Sequence, residues 1–245
     1  MEIWLIKLRL KKRNGVMAGV IFLFCLTMAV SVFSQENSTG SWLIVNSQLE
    51  FNKRWEAFTE LQTRSNRLAN RFFYYEVKGG IGYKVNENFS VLLGLGRYAT
   101  YAGEGNFSKP LDTEEFRIWQ QLNLNHSIER LKVEHRYRIE QKWMNGRYRN
   151  RFRYRLSTVL PVNDVDLKPE TFYLNVYDEV FLNNKAPHFE RNRFYAGIGY
   201  VLSPTLMAQL GYVNQYNYTL TKQGDKNFVQ IMLVVQFDGG NDEEG

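Results

Sequence analysis

Cysteine is nearly absent from this chain: Cys25 is the one thiol, and it sits inside an apolar leader. A chain processed after residue 34 holds none, which excludes disulfides, thiolate metal sites and a cysteine nucleophile. Phe24 stands before Cys25 where a lipidation signal needs a small residue. Histidine is scarce too. His126, His135 and His188 are dispersed along the chain, so no transition-metal site is expected. Proline occurs only five times against 44% hydrophobic and 15% aromatic residues, a composition that packs rather than stays disordered. After residue 34 no apolar run approaches the roughly 18 residues of a spanning helix. Gly79, Gly80, Gly82, Gly94 and Gly96 lie in strand-like segments with no helix to follow, so they read as close packing and not as a nucleotide loop. No cofactor is expected.

The net charge of +6 is misleading. Five of the 31 basic residues (Lys7, Arg9, Lys11, Lys12, Arg13) and one of the 25 acidic ones (Glu2) fall in residues 1–34, leaving the remainder near neutrality at +2. Nucleic-acid binding, which needs a basic patch on the mature surface, is not expected. The same leader has the order of a secretory signal peptide: a basic segment Lys7–Arg13, an apolar segment Val16–Val32, and Val32-Phe33-Ser34 before Gln35. The expected organisation is a cleaved signal peptide at 1–34, then a β-barrel domain at 35–245 ending in a short acidic tail. The expected location is the bacterial outer membrane, with outer-membrane lipid as the first partner.

What the chain has in abundance is alternation with period two, the mark of strands. Eleven segments carry it: 41–51, 55–64, 71–85, 89–100, 113–126, 131–143, 148–160, 171–182, 191–202, 205–217 and 227–237. Most reach the 9–11 residues of a tilted membrane-crossing strand, above the five or six usual in globular sheets. One face is apolar, as in Val91, Leu93 and Leu95, or Val229, Ile231, Leu233, Val235 and Phe237. The other is polar or small, as in Glu56, Glu60, Gln62 and Arg64. Aromatics near strand ends (Trp42, Trp55, Tyr83, Phe89, Trp143, Tyr148, Tyr200, Tyr212) suit an interfacial girdle.

Asn145-Gly146 is the strongest hairpin signal, since both residues accept the positive φ of a type I′ turn. As a two-residue loop it sets Ile139 opposite Phe152 and Tyr137 opposite Tyr154 on one face. Glu140 then meets Arg151, Arg138 meets Arg153, and Arg136 meets Arg155 on the other. Short turns at 52–53, 86–88 and 203–204 mostly alternate with longer links at 65–70, 101–112, 183–190 and 218–226, as periplasmic turns and outer loops do. The fold class expected is all-β, an antiparallel up-and-down transmembrane barrel of about 10–12 strands. Eleven is odd, and antiparallel closure needs an even count, so 10 or 12 is expected, with the first strand suspect.

Gly40-Ser41-Trp42, Phe72 to Tyr83 (FFYYEVKGGIGY), Glu134-His135-Arg136-Tyr137-Arg138, Arg153-Tyr154-Arg155-Leu156 and Asn192 to Tyr200 (NRFYAGIGY) carry a resemblance. Over about 40–237 the chain resembles the uncharacterised family catalogued as domain of unknown function 2490. The resemblance implies an exported outer-membrane barrel. That family has no assigned activity, so no functional residue is carried over.

The charged face is the candidate site: Glu134, Arg136, Arg138, Glu140, Lys142, Arg149, Arg151, Arg153 and Arg155, with Glu56 and Glu60. Like charges opposed across a strand pair repel. Arg136–Arg155 and Arg138–Arg153 therefore call for acids, and Glu50, Glu56, Glu60, Glu76, Glu115 and Glu179 are the inward candidates. A narrow barrel is filled by such a network and is not a pore. The alternative is a path or site for an anionic small molecule, because arginine forks recognise carboxylate and phosphate. Exchanging both charges of Glu140–Arg151 is expected to restore part of what reversing Arg151 alone destroys. No enzyme is expected. Ser127 adjoins His126 and so points the other way, and Ser157 lies on the face opposite His135. Asp112, Glu114 and Glu115 make at best a weak divalent site. The function expected is a structural, binding or narrow-conduit barrel. The alternatives are a phospholipase-like lipid-modifying enzyme of the outer membrane and a soluble periplasmic β-sandwich or lipocalin-like binder.

Overall fold

The computed structural model describes residues 39–102 and 106–239, in which every regular element is a strand. The leader expected at 1–34 lies outside the described residues. The strands are β1 (Gly40–Glu50), β2 (Trp55–Arg67), β3 (Asn70–Asn86), β4 (Phe89–Tyr101), β5 (Leu111–Ile128) and β6 (Leu131–Met144), then β7 (Arg147–Pro161), β8 (Phe172–Asn183), β9 (Phe189–Ser203), β10 (Leu206–Tyr218) and β11 (Gln223–Asp238). Each pairs with its sequence neighbour, and β1 pairs with β11 to close the barrel. A two-sheet sandwich is therefore not what this chain forms. Closure leaves none of the edges that strands of this length would otherwise present to other chains.

The strand count corrects the expectation of 10 or 12. Eleven strands close because β1 and β11 run parallel, in register from Gly40 opposite Phe228 to Glu50 opposite Asp238. The even-number rule assumes antiparallel pairing all the way round. With an odd count, up-and-down alternation leaves the first and last strands pointing the same way, and one parallel seam accommodates that. The suspected first strand is real. It pairs along most of its length with β2, from Trp42 opposite Arg64 to Glu50 opposite Glu56.

The Asn145-Gly146 hairpin has the expected register, with Met144 opposite Arg147, Ile139 opposite Phe152 and Glu140 opposite Arg151. Both turn residues take positive φ, 46° and 75°. Outward residues are apolar and exposed: Val77, Ile81, Leu93, Leu95, Ile139, Ile198 and Ile231 all lie on the barrel exterior. A lipocalin-like binder would turn this face inward. Glycines make room for inward aromatics. Trp119 lies opposite Gly94 and is wholly buried, and a Cβ there would meet its ring at 2.3 Å. Tyr173 stands likewise opposite Gly199, at 2.1 Å.

The links do not sort cleanly by length. The 65–70 segment expected as a longer link is a two-residue turn, because β2 and β3 extend to Arg67 and Asn70. At the end of the barrel marked by Glu50, short turns share the rim with the ten-residue link 162–171. There Lys168 pairs with Asp164 at 2.8 Å.

Candidate functional site: a charged, two-chambered lumen

The inward rows of β6 and β7 oppose each other as the hairpin register requires, so Arg136 faces Arg155 and Arg138 faces Arg153. Two guanidinium groups in such positions repel unless an acid lies between them. The third strand supplies it. Glu179 on β8 lies opposite Arg155 and accepts from Arg136 Nη2 at 2.6 Å, Arg153 Nη2 at 2.7 Å and Arg193 Nη1 at 3.3 Å. Glu140 is the second hub. It accepts from Arg151 Nε at 2.8 Å and Arg153 Nη1 at 2.5 Å, with Arg138 at 3.6 Å. Both carboxylates are shut off from solvent, at 0% and 1% exposure, so their charge is held by these guanidinium groups and not by water.

The other expected acids serve other cations. Glu60 takes Lys78 at 2.6 Å, Glu76 takes Lys78 at 2.7 Å and Arg64 at 3.5 Å, and Glu115 takes Lys142 at 3.1 Å and Arg117. Glu50 and Glu56 reach Lys84 at the rim, at 2.8 and 3.8 Å. Of the six acids expected to relieve the facing arginines, Glu179 alone does so. Glu134 meets Arg155 at 2.6 Å. Arg149 is half-buried on the inward row and forms no ion pair among the described residues.

Some inward groups were outside the expected set. Arg193 joins Glu179 and Gln215 from β9. Its place opposite the Phe194–Ala196 face follows from the same alternation, so that signal was present. Glu190 has no such signal. The register between β8 and β9 shifts at Phe181/Leu182, and Glu190 sits at that irregularity, where it reaches Arg151 at 2.9 Å. A bulge places two successive residues against one, and period-two reading fails there. Trp42 corrects the girdle assignment. It is 2% exposed and inside the barrel, where its indole Nε1 donates to Gln62 Oε1 at 2.7 Å. By contrast Trp55, Trp143 and Tyr148 are outside and exposed.

Trp42 forms part of a waist. The Arg64 and Arg193 guanidinium carbons lie 3.6 and 4.7 Å from Trp42 ring centroids, and Phe228 packs edge-on at 5.7 Å. On either side is a cavity of about 720 Å³, and both are bounded by Trp42, Gln62, Lys78, Arg153 and Arg193. The lumen is thus filled only at its middle. The expectation of a lumen filled throughout by side chains holds there and not at the two mouths.

The histidine candidates lie elsewhere. His126 and His135 stack on the exterior at 5.4 Å, and His135 Nδ1 pairs with the Tyr154 hydroxyl at 2.9 Å. Ser157 is buried and lines the chamber at the Glu50 end. Glu114 pairs with Arg97 on the outside at 2.5 Å, whereas Glu115 points inward, so Asp112, Glu114 and Glu115 do not converge. Among the described residues no group of three or more His, Cys, Asp or Glu side chains is placed to hold a metal ion.

A comparison with curated proteins finds no match. A family model described as protein of unknown function DUF2490 matches residues 39–226. That span takes in β1 to β10 and the opening of β11, with both charge hubs and with Trp42, Arg64 and Arg193 of the waist, and the chain belongs to this family.

Proposed function

We propose that the protein is an integral outer-membrane barrel, exported by a cleaved leader and embedded in lipid, whose charge-braced lumen binds or narrowly conducts a small solute. The observation that carries this reading is the inversion of the two faces. Leu93 and Leu95 on the exterior are 59% and 56% exposed, while Glu140 in the interior is fully shielded. A soluble protein rarely leaves a contiguous apolar patch beyond a few hundred Å² in water. A belt of such residues running round the whole barrel fits hydrocarbon instead. Aromatic pairs near the strand ends support the same placement: Trp55–Tyr83 at 4.9 Å, Trp143–Tyr148 at 5.3 Å and Phe172–Tyr200 at 4.5 Å. The interior offers ion pairs and a waist, with no nucleophile beside a base among the described residues, which favours a passive role over lipid hydrolysis.

The test is fractionation of cells followed by electrophoresis of the membrane fraction with and without boiling. The expected result is extraction only by detergent, with the unboiled form migrating faster than the boiled form. Release by osmotic shock without detergent, and no difference on boiling, would overturn the reading.

A further inference from the structure

The two chambers are alike in volume and unlike in charge. The one at the Glu50 end is lined by seven basic and five acidic side chains. The one at the Gly40 end is lined by ten basic and four acidic side chains. Glu140 and Glu179 also reach arginines of the waist, and crediting both to the Gly40-end chamber still leaves ten cations against six carboxylates. The same credit brings the other chamber almost to balance.

The surplus has an address. Arg191, Lys222 and Lys226 line the Gly40-end chamber and form no ion pair among the described residues, although Glu190 acts electrostatically on Arg191. Arg191 is held instead by Asn217 Oδ1 at 2.8 Å, and Lys226 lies 4.8 Å over the Phe73 ring. Arg64 is 8% exposed, its nearest acid is 3.5 Å away, and its Nε–H has no partner. Phe73, Tyr74 and Phe228 give the same chamber an apolar wall. Its volume falls in the roughly 300–1,000 Å³ range of small-molecule sites.

We infer that the Gly40-end chamber is a binding site for a small polyanion carrying phosphate or carboxylate groups, held by Arg64, Arg191 and Lys226 above the Trp42 floor. Guanidinium forks match both oxyanions in a bidentate manner. A single monovalent anion would leave most of the surplus uncompensated. The site deepens the lumen reading above and rests on the barrel interior being open to an aqueous compartment at this end.

The test is calorimetric titration of the full chain, folded in detergent at low salt, with inorganic pyrophosphate and, separately, citrate. Saturable binding of at least one probe is expected, and the tighter of the two identifies the headgroup chemistry. An Arg191→Gln/Lys226→Gln variant leaves Glu190 paired with Arg151 at 2.9 Å, and its affinity should fall by about tenfold or more. Lys168→Gln, on the 162–171 link outside both chambers, should leave affinity unchanged. No saturable binding of either probe overturns the site, as does equal affinity in wild type and the Arg191/Lys226 variant. The boiling shift is read on the same preparation, so a protein that shifts but does not bind loses only this site. A protein that does not shift loses the membrane reading, whatever the titration gives.

Discussion

Arg151 and Glu140 face each other directly across the β6–β7 ladder, and Arg151 Nε donates to Glu140 Oε2 at 2.8 Å where neither side chain meets solvent. The pair follows from one turn: once Asn145-Gly146 forms the loop, residues whose numbers sum alike must meet. Its energetics do not follow from the turn. Glu140 also binds Arg153 at 2.5 Å and Arg151 also binds Glu190 at 2.9 Å, so the two belong to a network and not to a couple.

Reversing Arg151 to Glu should therefore cost about 3–5 kcal/mol, the range for stranding a buried charge. The structure revises what the exchange should do. An arginine at 140 would confront Arg138 and Arg153, so Glu140→Arg/Arg151→Glu should be no more stable than Arg151→Glu alone. Urea unfolding of the detergent-folded protein, followed by tryptophan emission, measures this. Recovery of most of the loss by the exchange would mean that the contact between Glu140 and Arg153 carries little.

The two hubs and the rim pairs should separate cleanly. Glu179→Gln leaves Arg136, Arg153 and Arg193 crowded around a neutral amide and should cost about 3 kcal/mol or more. Glu134→Gln, whose partner pair with Arg155 is 33% and 22% exposed, should cost about 1 kcal/mol or less. Similar losses in the two variants would count against Glu179 as the acid that relieves the facing arginines.

Gly94→Ala should destabilise by about 1–3 kcal/mol, because its Cβ would press on the Trp119 ring at 2.3 Å in an interior that cannot give way freely. Adding Trp119→Leu should return part of that loss. Additive losses in the double variant would show that the ring and the glycine are not in contact.

Leu95→Arg puts a charge on the exterior near the middle of β4. In a bilayer it should cost about 2–4 kcal/mol, read as reduced folding into lipid vesicles. Arg97, nearer the strand end, already carries a charge on that face and is paired with Glu114 at 2.5 Å. Vesicle folding of the Leu95 variant equal to wild type would place that face outside the hydrocarbon.

Removing the waist should join the chambers. Trp42→Ala takes away the ring that Arg64 and Arg193 flank, so conductance in planar-bilayer recordings should rise above that of wild type. The boiling shift checks that the variant is still folded. A folded variant that conducts no better than wild type would show that the remaining side chains constrict the lumen without Trp42.

Much of this protein is determined locally. Alternation with period two sets each strand and its two faces, since successive side chains point to opposite sides. All eleven segments occur within a few residues of where that pattern puts them. Asn145-Gly146 likewise sets the pairing of the whole charged hairpin, because positive φ at both positions leaves one register. Four things were decided only by the closed barrel. Whether the ends meet in parallel depends on the count of strands around the ring and not on any one of them. Which acid relieves Arg136 and Arg153 depends on β8 lying beside β7, so that Glu179, 26 positions along the chain from Arg153, arrives between them. The inward turn of Trp42 and the placement of Glu190 were hidden for opposite reasons. Alternation puts Trp42 on one of two faces but does not say which is the lumen for a strand with apolar residues on both. A bulge breaks alternation at Glu190 altogether, and a bulge is made by the pairing of two strands, which neither strand encodes alone.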